Sequence, residues 1–469
     1  MQSFIGRKKE LEVLEKEYRR ESGFVVVYGR RRVGKTTLIK EFIKNKKAIY
    51  YLATEEIETY AKKHLLNLVA DFTDQTYLKN ANFDNWEDIF KVFADFESNE
   101  KKIIVIDEFQ YLIQVNPAFT SVFQRIWDDI LKDKNVMLIL CGSLISMMTT
   151  HVLSYGSPLY GRRTSQIRLQ PLRFTELKDW HPDRTFEEQV EFYSITGGVP
   201  KYFEFFENGK VTIQGIKDNV LSKSGFLYEE PLFLLRNEVR EPINYFSILK
   251  AISEGNHKLS RIAGALEQKS NSLSPYLSTL SELYLIEKRV PVTEKTPEKS
   301  RKGLYFINDN FIKFWFDYVY PNRGELELDN QQLVIEKFNE TFTSSFVSFI
   351  YEDICKDIFA QLCREGAINF VPSKIGSYWN KDNSVEIDVV SVDKTNKKIF
   401  LAECKYYQDK KVDIGVYKSL VEKCKGQDFE EYEITYGLFS KSGFEDRLVE
   451  LSLDNPKLIL INESSIIRN

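Results

Sequence analysis

The stretch Gly29-Arg30-Arg31-Arg32-Val33-Gly34-Lys35-Thr36 decides the fold of this chain. It fits the pattern G-x-x-x-x-G-K-[ST], a glycine-rich loop whose backbone N–H groups point at phosphate oxygens. An apolar, β-branched segment at residues 24–28 precedes it, and a helical pattern at residues 37–43 follows it. A helix N-terminus at this place also favours a bound anion. Strand, loop and helix in this order predict the binding of a nucleoside triphosphate.

Each residue of the loop has a chemical task in this interpretation. Gly29 and Gly34 let the backbone curl, Lys35 reaches the β- and γ-phosphates, and Thr36 holds Mg²⁺ through its hydroxyl. ATP and Mg²⁺ are therefore the expected cofactors. The alternative is a glycine turn beside a solvated lysine. The residues expected to contact the nucleotide here are Gly29, Arg30, Arg31, Arg32, Val33, Gly34, Lys35, Thr36 and Thr37.

Length, charge and composition limit the classes of protein to which the chain can belong. Its 469 residues predict two to four domains, and its net charge of −4 confines any nucleic-acid surface to a local patch. Five scattered cysteines and four separated histidines argue against zinc fingers and disulfides and indicate a reducing, cytoplasmic compartment. The N-terminus lacks the apolar core of a signal peptide. The apolar run at residues 136–148 is too short to span a bilayer, so no membrane partner is expected.

A second motif supplies two carboxylates. Residues 101–106 read as a buried parallel strand, and Asp107 and Glu108 stand at its end. In an open α/β sheet, ligands sit beyond the carboxyl ends of the strands. Asp107 is therefore expected to hold Mg²⁺ through water, and Glu108 to act as general base toward the attacking water. The alternative is a strand end that the two acids merely cap.

Six motifs occur in one order along residues 1–235. They are Phe-x-Gly-Arg at 4–7, the loop at 29–36, Ile-Asp-Glu-Phe-Gln at 106–110, Cys-Gly-Ser at 141–143, Leu-Tyr-Gly-Arg-Arg-Thr at 159–164 and Gly-Gly-Val-Pro at 197–200. In this order they resemble the archaeal and bacterial AAA-type ATPases allied to STAND NTPases. The resemblance implies a P-loop NTPase core at residues 1–170 and a helical lid at 171–235.

The same resemblance implies roles for residues outside the loop. Ile5, Gly6 and Arg7 would line the adenine pocket, and Pro200 would pack on the base from the lid. Ser143, after the strand at residues 136–142, occupies the sensor-1 place and would read the γ-phosphate or position water. A serine at this position is also a common helix cap, so that interpretation stays open.

Paired arginines in the glycine turn at residues 157–164 allow two interpretations. Arg162 and Arg163 would be arginine fingers if the protein is a homo-oligomer, because planar guanidinium donors match phosphate oxygens. They would otherwise be solvated charge. Arg30, Arg31 and Arg32 compete for the finger role from within the same subunit.

Residues 236–325 predict a winged helix-turn-helix. Three helical patterns at 243–254, 259–266 and 273–285 precede strands at 286–292 and 303–307. The third helix carries no Lys or Arg, which argues against tight phosphate contact. The loop between the strands carries Lys295, Lys299, Arg301 and Lys302 against Glu294 and Glu298. DNA binding, protein binding and a rigid spacer all stay open.

Residues 326–469 predict a second α/β unit. We expect a helix at 342–362, strands at 368–371, 385–390 and 399–405, a helix at 416–425, and strands at 432–439 and 458–461. Side chains alternate faces along a strand, so Glu386 and Asp388 share one face, as do Glu403 and Lys405. Acids and a lysine on adjacent apolar strands are costly unless they bind something.

Asp388, Glu403 and Lys405 resemble the Asp…Glu-x-Lys signature of the PD-(D/E)XK nucleases. The resemblance implies that both acids hold Mg²⁺ and that Lys405 supports the attacking water. A helix acid completes the metal site in that family, and Glu352 is the best match, although the helical pattern does not prefer it over Asp353. Cleavage and a degenerate, binding-only domain are both open.

The leading hypothesis is an ATP-hydrolysing P-loop ATPase. Its winged helix at residues 236–325 would connect to a nuclease-like domain at 326–469 that cleaves or binds DNA. The alternative is a STAND-like nucleotide switch with slow turnover, in which the winged helix and the C-terminal domain bind protein partners or regulate transcription without cleavage.

Overall fold

The computed structural model of the protein describes residues 4–206, 209–427 and 429–467. The chain forms two compact units. The first contains the residues up to Pro171 together with Val199–Lys201, and the second contains Leu172–Gly198 and the residues from Tyr202 onward.

The first unit is an α/β structure around a five-stranded sheet. The strand order is β2-β3-β4-β1-β5, and all neighbouring strands are parallel. Its strands are β1 (Gly23–Tyr28), β2 (Ala48–Leu52), β3 (Lys102–Asp107), β4 (Val136–Gly142) and β5 (Ser165–Arg168). Its helices are α1 (Lys8–Tyr18), α2 (Lys35–Ile43), α3 (Glu58–Phe72), α4 (Trp86–Asp95), α5 (Gln110–Val115), α6 (Phe119–Arg125) and α7 (Ile145–Met148).

Burial on both faces explains why the central strands are continuously apolar. Val26 of β1 and Ile104 of β3 pack into one core, with aromatic residues of α4 and α6 such as Phe90 and Phe123. Val25, the neighbour of Val26 on β1, packs into the opposite core, which α1 and α2 cover. A parallel sheet buried on both faces reads as an unbroken Val/Ile/Leu run. The predicted P-loop type of core is confirmed.

This topology gathers the carboxyl ends of β1, β3 and β4 at one edge of the sheet. β4 lies between β1 and β3, with Val26 opposite Leu140 and Ile104 opposite Leu138. The glycine loop follows β1, Asp107 ends β3, and Ser143 follows β4. Segments more than a hundred residues apart in sequence are therefore neighbours at this edge.

The chain beyond Pro171 is mainly helical before it reaches its own sheets. Its helices are α8 (Phe174–Leu177), α9 (Phe186–Thr196), α10 (Pro200–Phe203), α11 (Ile213–Ile216), α12 (Glu230–Glu238), α13 (Pro242–Ser253), α14 (Leu259–Ala265), α15 (Ser270–Glu282), α16 (Asn310–Phe314), α17 (Arg323–Glu327), α18 (Gln332–Thr341), α19 (Ser348–Arg364), α20 (Ile414–Cys424) and α21 (Asp446–Asp454). Its strands are β6 (Ile286–Arg289), β7 (Leu304–Ile307), β8 (Lys374–Trp379), β9 (Glu386–Asp393), β10 (Lys398–Lys405), β11 (Glu433–Ser440), β12 (Leu458–Asn462) and β13 (Ser465–Ile466).

Helices α13, α14 and α15 precede an antiparallel hairpin of β6 and β7, in which Ile286 lies opposite Ile307. Leu273, Leu277 and Leu280 form the buried face of α15. The hairpin strands are shorter than the sequence predicts. We call the segment between them, residues 290–303, the wing loop.

The C-terminal sheet, strands β8 to β13, is mixed. Its order is β13-β12-β11-β10-β9-β8, with β10, β11 and β12 parallel and the other neighbours antiparallel. Ile387, Val390 and Leu401 belong to its core, with Leu420 of α20 and Leu448 of α21. The prediction of a second α/β unit is confirmed as a sheet with covering helices.

One predicted strand of this sheet is wrong. Residues 368–371 form no strand, and the edge strand is β8. Ile368 and Phe370 are buried because they pack beside α19, where the rings of Phe370 and Phe359 lie 5.7 Å apart. Pro372, the next residue along the chain, has no N–H to donate to a ladder. The apolar residues of this segment are buried against a helix, and their pattern in the sequence is also typical of a strand.

No helix within residues 4–206, 209–427 and 429–467 is long and apolar enough to cross a membrane.

Candidate functional site

The glycine loop joins β1 to α2 with backbone angles that favour glycine. Gly29 has φ +152°, and a Cβ there would lie 2.2 Å from the carbonyl oxygen of Leu169. Gly34 has φ +92° and precedes the first residue of α2. Lys35 donates from Nζ to the carbonyl oxygens of Gly29 and Arg30, at 2.8 and 2.9 Å. The ammonium thus lies across the loop, where the loop amides and the helix N-terminus favour an anion.

Thr36 and Asp107 meet at the sheet edge. The Thr36 hydroxyl donates to Oδ2 of Asp107 at 2.8 Å, and Asp107 Oδ1 accepts from the backbone N–H of Glu108 at 2.9 Å. The Tyr50 hydroxyl also donates to Oδ2. Burial and the Asp107 charge raise the pKa of Tyr50 well above its usual range, so the tyrosine stays protonated. A hydroxyl and a carboxylate side by side are hard oxygen donors of the kind that Mg²⁺ prefers.

Glu108 lies beside Ser143. The Ser143 hydroxyl donates to Oε2 of Glu108 at 2.7 Å, and the Gln110 side chain donates to the same oxygen and to Ser143 Oγ, the latter at 3.3 Å. Glu108 has φ +54°, a left-handed conformation that is uncommon for a residue with a side chain. Such outliers persist where the surroundings over-determine them and often mark functional positions.

The residues expected around the base lie next to the loop. Arg7, at φ +62°, donates to the carbonyl oxygens of Val33 and Gln170 at 3.0 and 2.6 Å, which ties the segment of Ile5 and Gly6 to the loop. Pro200 Cγ lies 3.9 Å from the position that a Cβ on Gly34 would take.

The arginines of the loop differ in their surroundings. Arg31 donates to the Tyr111 hydroxyl at 3.1 Å. Arg30 is buried, and Arg32 adopts φ +74°. Thr37, at the start of α2, is exposed.

Arg162 is engaged within its own chain. Its guanidinium binds both carboxylate oxygens of Asp128, with contacts of 2.7 to 2.9 Å, and donates to the Pro158 carbonyl at 2.6 Å. Arg163 donates to Gln166 at 2.8 Å. A finger contact to another subunit would require Arg162 to leave Asp128, so the geometry favours a structural role for this arginine.

The predicted acids of the C-terminal sheet come together. Val389 of β9 lies opposite Ala402 of β10 in the last paired position of this ladder, and Asp388 and Glu403 stand one residue beyond it on the two strands. Asp388 Oδ2 accepts from the Cys404 N–H at 2.8 Å. Burial, and then the charge of Glu403, raise the pKa of Asp388 to about 6. Burial and a neighbouring negative charge both disfavour the ionised form of a carboxyl group, so its pKa rises.

Glu403 is held by two lysines. Lys405 donates to Oε2 at 2.8 Å, and Lys423 of α20 donates to Oε1 at 2.7 Å. Sequence reasoning included Lys405 and missed Lys423, which reaches the site only because α20 packs on the sheet.

The two adjacent acids on α19 have different environments. Asp353 pairs with Arg289 of β6 at 2.6 Å and with Lys356 at 2.8 Å. Glu352 instead faces the sheet site. Burial, and then the charge of Asp388, raise the pKa of Glu352 to about 8. The helical pattern left this choice open, and tertiary packing favours Glu352.

The described parts of the chain contain no cluster of three or more His, Cys, Asp or Glu side chains arranged to hold a metal ion. Thr36 with Asp107, and Asp388 with Glu403, are each a pair of oxygen donors. Their donor chemistry fits Mg²⁺ or Mn²⁺ better than zinc.

Two domain families match parts of this chain. Residues 4–206 match an ATPase domain that occurs predominantly in Archaea. Residues 315–415 match a domain described as archaeal and bacterial proteins of unknown function.

Individual proteins are similar over different spans. A Methanocaldococcus jannaschii protein described as uncharacterized is 37% identical over 441 residues, which are 93% of this chain and 95% of that relative. Another protein of the same organism, described as ATP-binding, is 53% identical over 45 residues, which are 9% of this chain and 76% of that protein. The solved Walker-type ATPase PABY2304 of Pyrococcus abyssi aligns with a TM-score of 0.50 and 20% identity, covering 67% of this chain and 96% of that chain, a likeness of fold.

Proposed function

The chain belongs to the same family as its 37% identical Methanocaldococcus jannaschii relative and is a P-loop ATPase, and we propose that it couples ATP hydrolysis to an action on DNA. The DNA-directed part would be the C-terminal sheet with its acids and lysines. The observation that carries the proposal is the closeness of Asp388 and Glu403, one residue beyond the last paired position of β9 and β10, with Lys405 bound to Glu403.

In the first unit we assign the steps of hydrolysis to particular side chains. Lys35 exchanges its two carbonyl partners for phosphate oxygens, because an ammonium gains more from an anion than from neutral carbonyls. Thr36 and Asp107 would hold Mg²⁺, which would neutralise negative charge on the nucleotide when bound. Glu108 accepts the proton of the attacking water, and the hydroxyl of Ser143 holds its carboxylate in place.

Recognition of the base is assigned to the elements beside the loop. Arg7 fixes the segment of Ile5 and Gly6 by bonds to Val33 and Gln170. Pro200, close to Gly34, offers an apolar surface of fixed shape. A flat apolar contact suits the face of a purine.

In the second unit we assign residues 236–325 to a winged helix-turn-helix and residues 326–469 to a nuclease-like domain, with the helices at 171–235 as the lid. Asp388 and Glu403 would hold a divalent cation, which would polarise the scissile phosphate when bound. Glu352 lies near enough to sense the charge of Asp388 and would join as the third acid only after its side chain moves, because the three acids are not arranged as a metal cluster here. Lys405 would orient the attacking water and stabilise the charge that develops on it.

A second candidate function rests on the two lysines at Glu403. Lys405 and Lys423 occupy both of its oxygens and neutralise its charge. A site of this kind is consistent with a domain that has a nuclease-like fold but does not cleave DNA. The protein would then be a STAND-like nucleotide switch with a binding output.

A cleavage assay on labelled single- and double-stranded DNA, with Mg²⁺ or Mn²⁺ and with EDTA, separates the two. The first proposal expects metal-dependent cleavage that Asp388→Ala removes, while ATP hydrolysis persists because the loop lies in the other unit. Lys411→Ala, an exposed lysine outside the acid pair, is the matched control. If the native protein neither cleaves DNA nor binds metal, the first proposal is refuted and the nucleotide switch remains as the proposed function.

A further inference from the structure

One cleft in the second unit is lined mainly by cationic side chains. It has a volume of about 430 Å³ and lies among the wing loop, the start of α14 and the turn that follows β8. We call it the wing-loop cleft. Its charged lining residues are Lys258, Lys299, Arg301, Lys302, Lys381 and Glu294.

The wing loop is fixed onto the C-terminal sheet at both of its ends. Near its start, the Val292 N–H donates to the Ser377 carbonyl at 3.0 Å, and Lys374 donates to the Glu294 carbonyl at 3.1 Å. Near its end, the Trp379 indole donates to the Lys302 carbonyl at 3.1 Å. Val292 is also part of the sheet core. The cleft therefore has walls held by backbone bonds and packing.

The charge of the cleft is strongly one-sided. Glu294 is the carboxylate in its lining, and it pairs with Lys302 at 2.8 Å. Lys258, Lys299, Arg301 and Lys381 are exposed and bring four positive charges from three separate segments. A solvated basic face is the simplest alternative. Like charges that converge on a concave wall concentrate the field, however, in a chain whose net charge is −4.

We propose that the wing-loop cleft binds the phosphodiester backbone of duplex DNA. The inference rests on the proposed DNA-directed function and adds where the DNA is held. Lysine contacts phosphate as a point charge and arginine can bind it through two donors, whereas base reading depends on side chains placed in a groove. Helix α15 carries no Lys or Arg, so the cleft, and not that helix, supplies the electrostatic contact.

The acids next to the cleft in sequence reduce its positive charge without cancelling it. Glu298 is the neighbour of Lys299 and Asp382 the neighbour of Lys381, so with Glu294 three carboxylates stand against the five cations of the lining. Phosphate contacts of this kind carry no sequence information, so affinity for DNA should be independent of sequence.

The test is fluorescence anisotropy with duplexes of about 20 base pairs, in EDTA so that no metal-dependent cleavage intervenes. Lys299→Ala/Arg301→Ala removes two exposed cations of the cleft. We expect binding at least about tenfold weaker, and a salt dependence (log K against log salt) shallower by about 2, because each phosphate contact contributes about 0.9. Lys381→Glu, on another segment, should act in the same direction.

The matched control is Lys394→Ala/Lys411→Ala, two exposed lysines of the same unit outside the cleft, which should change affinity less than twofold. If Lys299→Ala/Arg301→Ala and Lys381→Glu both bind DNA as the native protein does, the wing-loop cleft is not the DNA-binding site. The proposed DNA-directed function would not be affected by that result. No DNA binding by the native protein would refute both. Tight binding of inorganic pyrophosphate that duplex DNA does not displace would assign the cleft to a small phosphate compound, which also overturns the proposal.

Discussion

The hydroxyl of Ser143 donates a 2.7 Å hydrogen bond to Oε2 of Glu108. The two residues follow different strands, β4 and β3, and meet because these strands are neighbours. Gln110 donates to the same Glu108 oxygen. The carboxylate is therefore held in a fixed position by two neutral donors. This arrangement links the sensor position to the proposed general base.

Replacing Glu108 with Gln tests that role. Glu108→Gln keeps the shape and can still contact Ser143, but it cannot accept a proton. We expect ATP and Mg²⁺ to bind, and hydrolysis to fall by about 10²-fold or more. Single-turnover hydrolysis with saturating ATP measures this, alongside nucleotide binding.

The neighbouring acid provides the contrast. Asp107→Asn should weaken the metal dependence itself, because Asp107 is bonded to Thr36 at the proposed metal position. Equal and mild effects of both changes would mean that the two acids only cap the end of β3.

Replacing Lys35 with Ala tests the loop. The variant loses the charge that lies over the Gly29 and Arg30 carbonyls. We expect nucleotide affinity to drop by about 10²-fold, or about 3 kcal/mol, the upper range for a charge-assisted bond. Titration with a fluorescent ATP analogue measures it. Lys44→Ala, an exposed lysine at the end of α2, is the control, and an affinity of Lys35→Ala equal to that control would refute the site.

The first unit could be predicted from sequence because its signals are local. The loop, the apolar run before Asp107 and the strand before Ser143 each show their character within a few residues. What placed Tyr50 at the site is the lateral order of the strands, which no single segment contains. Gln110 is two residues after Glu108 and could have been considered as a partner of that carboxylate.

The C-terminal sheet shows where such reasoning fails. The apolar residues at 368–371 pack against α19, so their burial imitated a strand. The choice between Glu352 and Asp353 depended on Arg289, which is more than sixty residues upstream and binds Asp353. Lys423 reaches Glu403 from a helix that covers the sheet. These are tertiary facts that spacing along the chain does not encode.

The acids of the C-terminal site predict a pH dependence of stability. Burial and the charge of Asp388 raise the pKa of Glu352 from 4.5 to about 8. An acid with a higher pKa in the folded state binds protons more readily when folded, so unfolding releases them. The contribution of Glu352 to stability is therefore fully present below about pH 4.5 and is lost as the pH rises through about 8.

Thermal denaturation of the native protein and of Glu352→Gln, at pH 6 and at pH 9 without divalent metal, measures this contribution. Glu352→Gln removes the titration, so its midpoint should fall less between the two pH values than that of the native protein. Glu365→Gln, at the end of the same helix, is the control and should follow the native protein. Parallel curves for Glu352→Gln and the native protein would mean that Glu352 does not carry a raised pKa.

The central claim, that this ATPase is coupled to DNA, is tested most directly by the steady-state rate of ATP hydrolysis with and without duplex DNA. The account predicts that saturating DNA raises the rate of the native protein by about tenfold or more, while Glu108→Gln stays inactive in both conditions. Slow hydrolysis by the native protein that DNA leaves unchanged would contradict the coupling and favour a nucleotide switch.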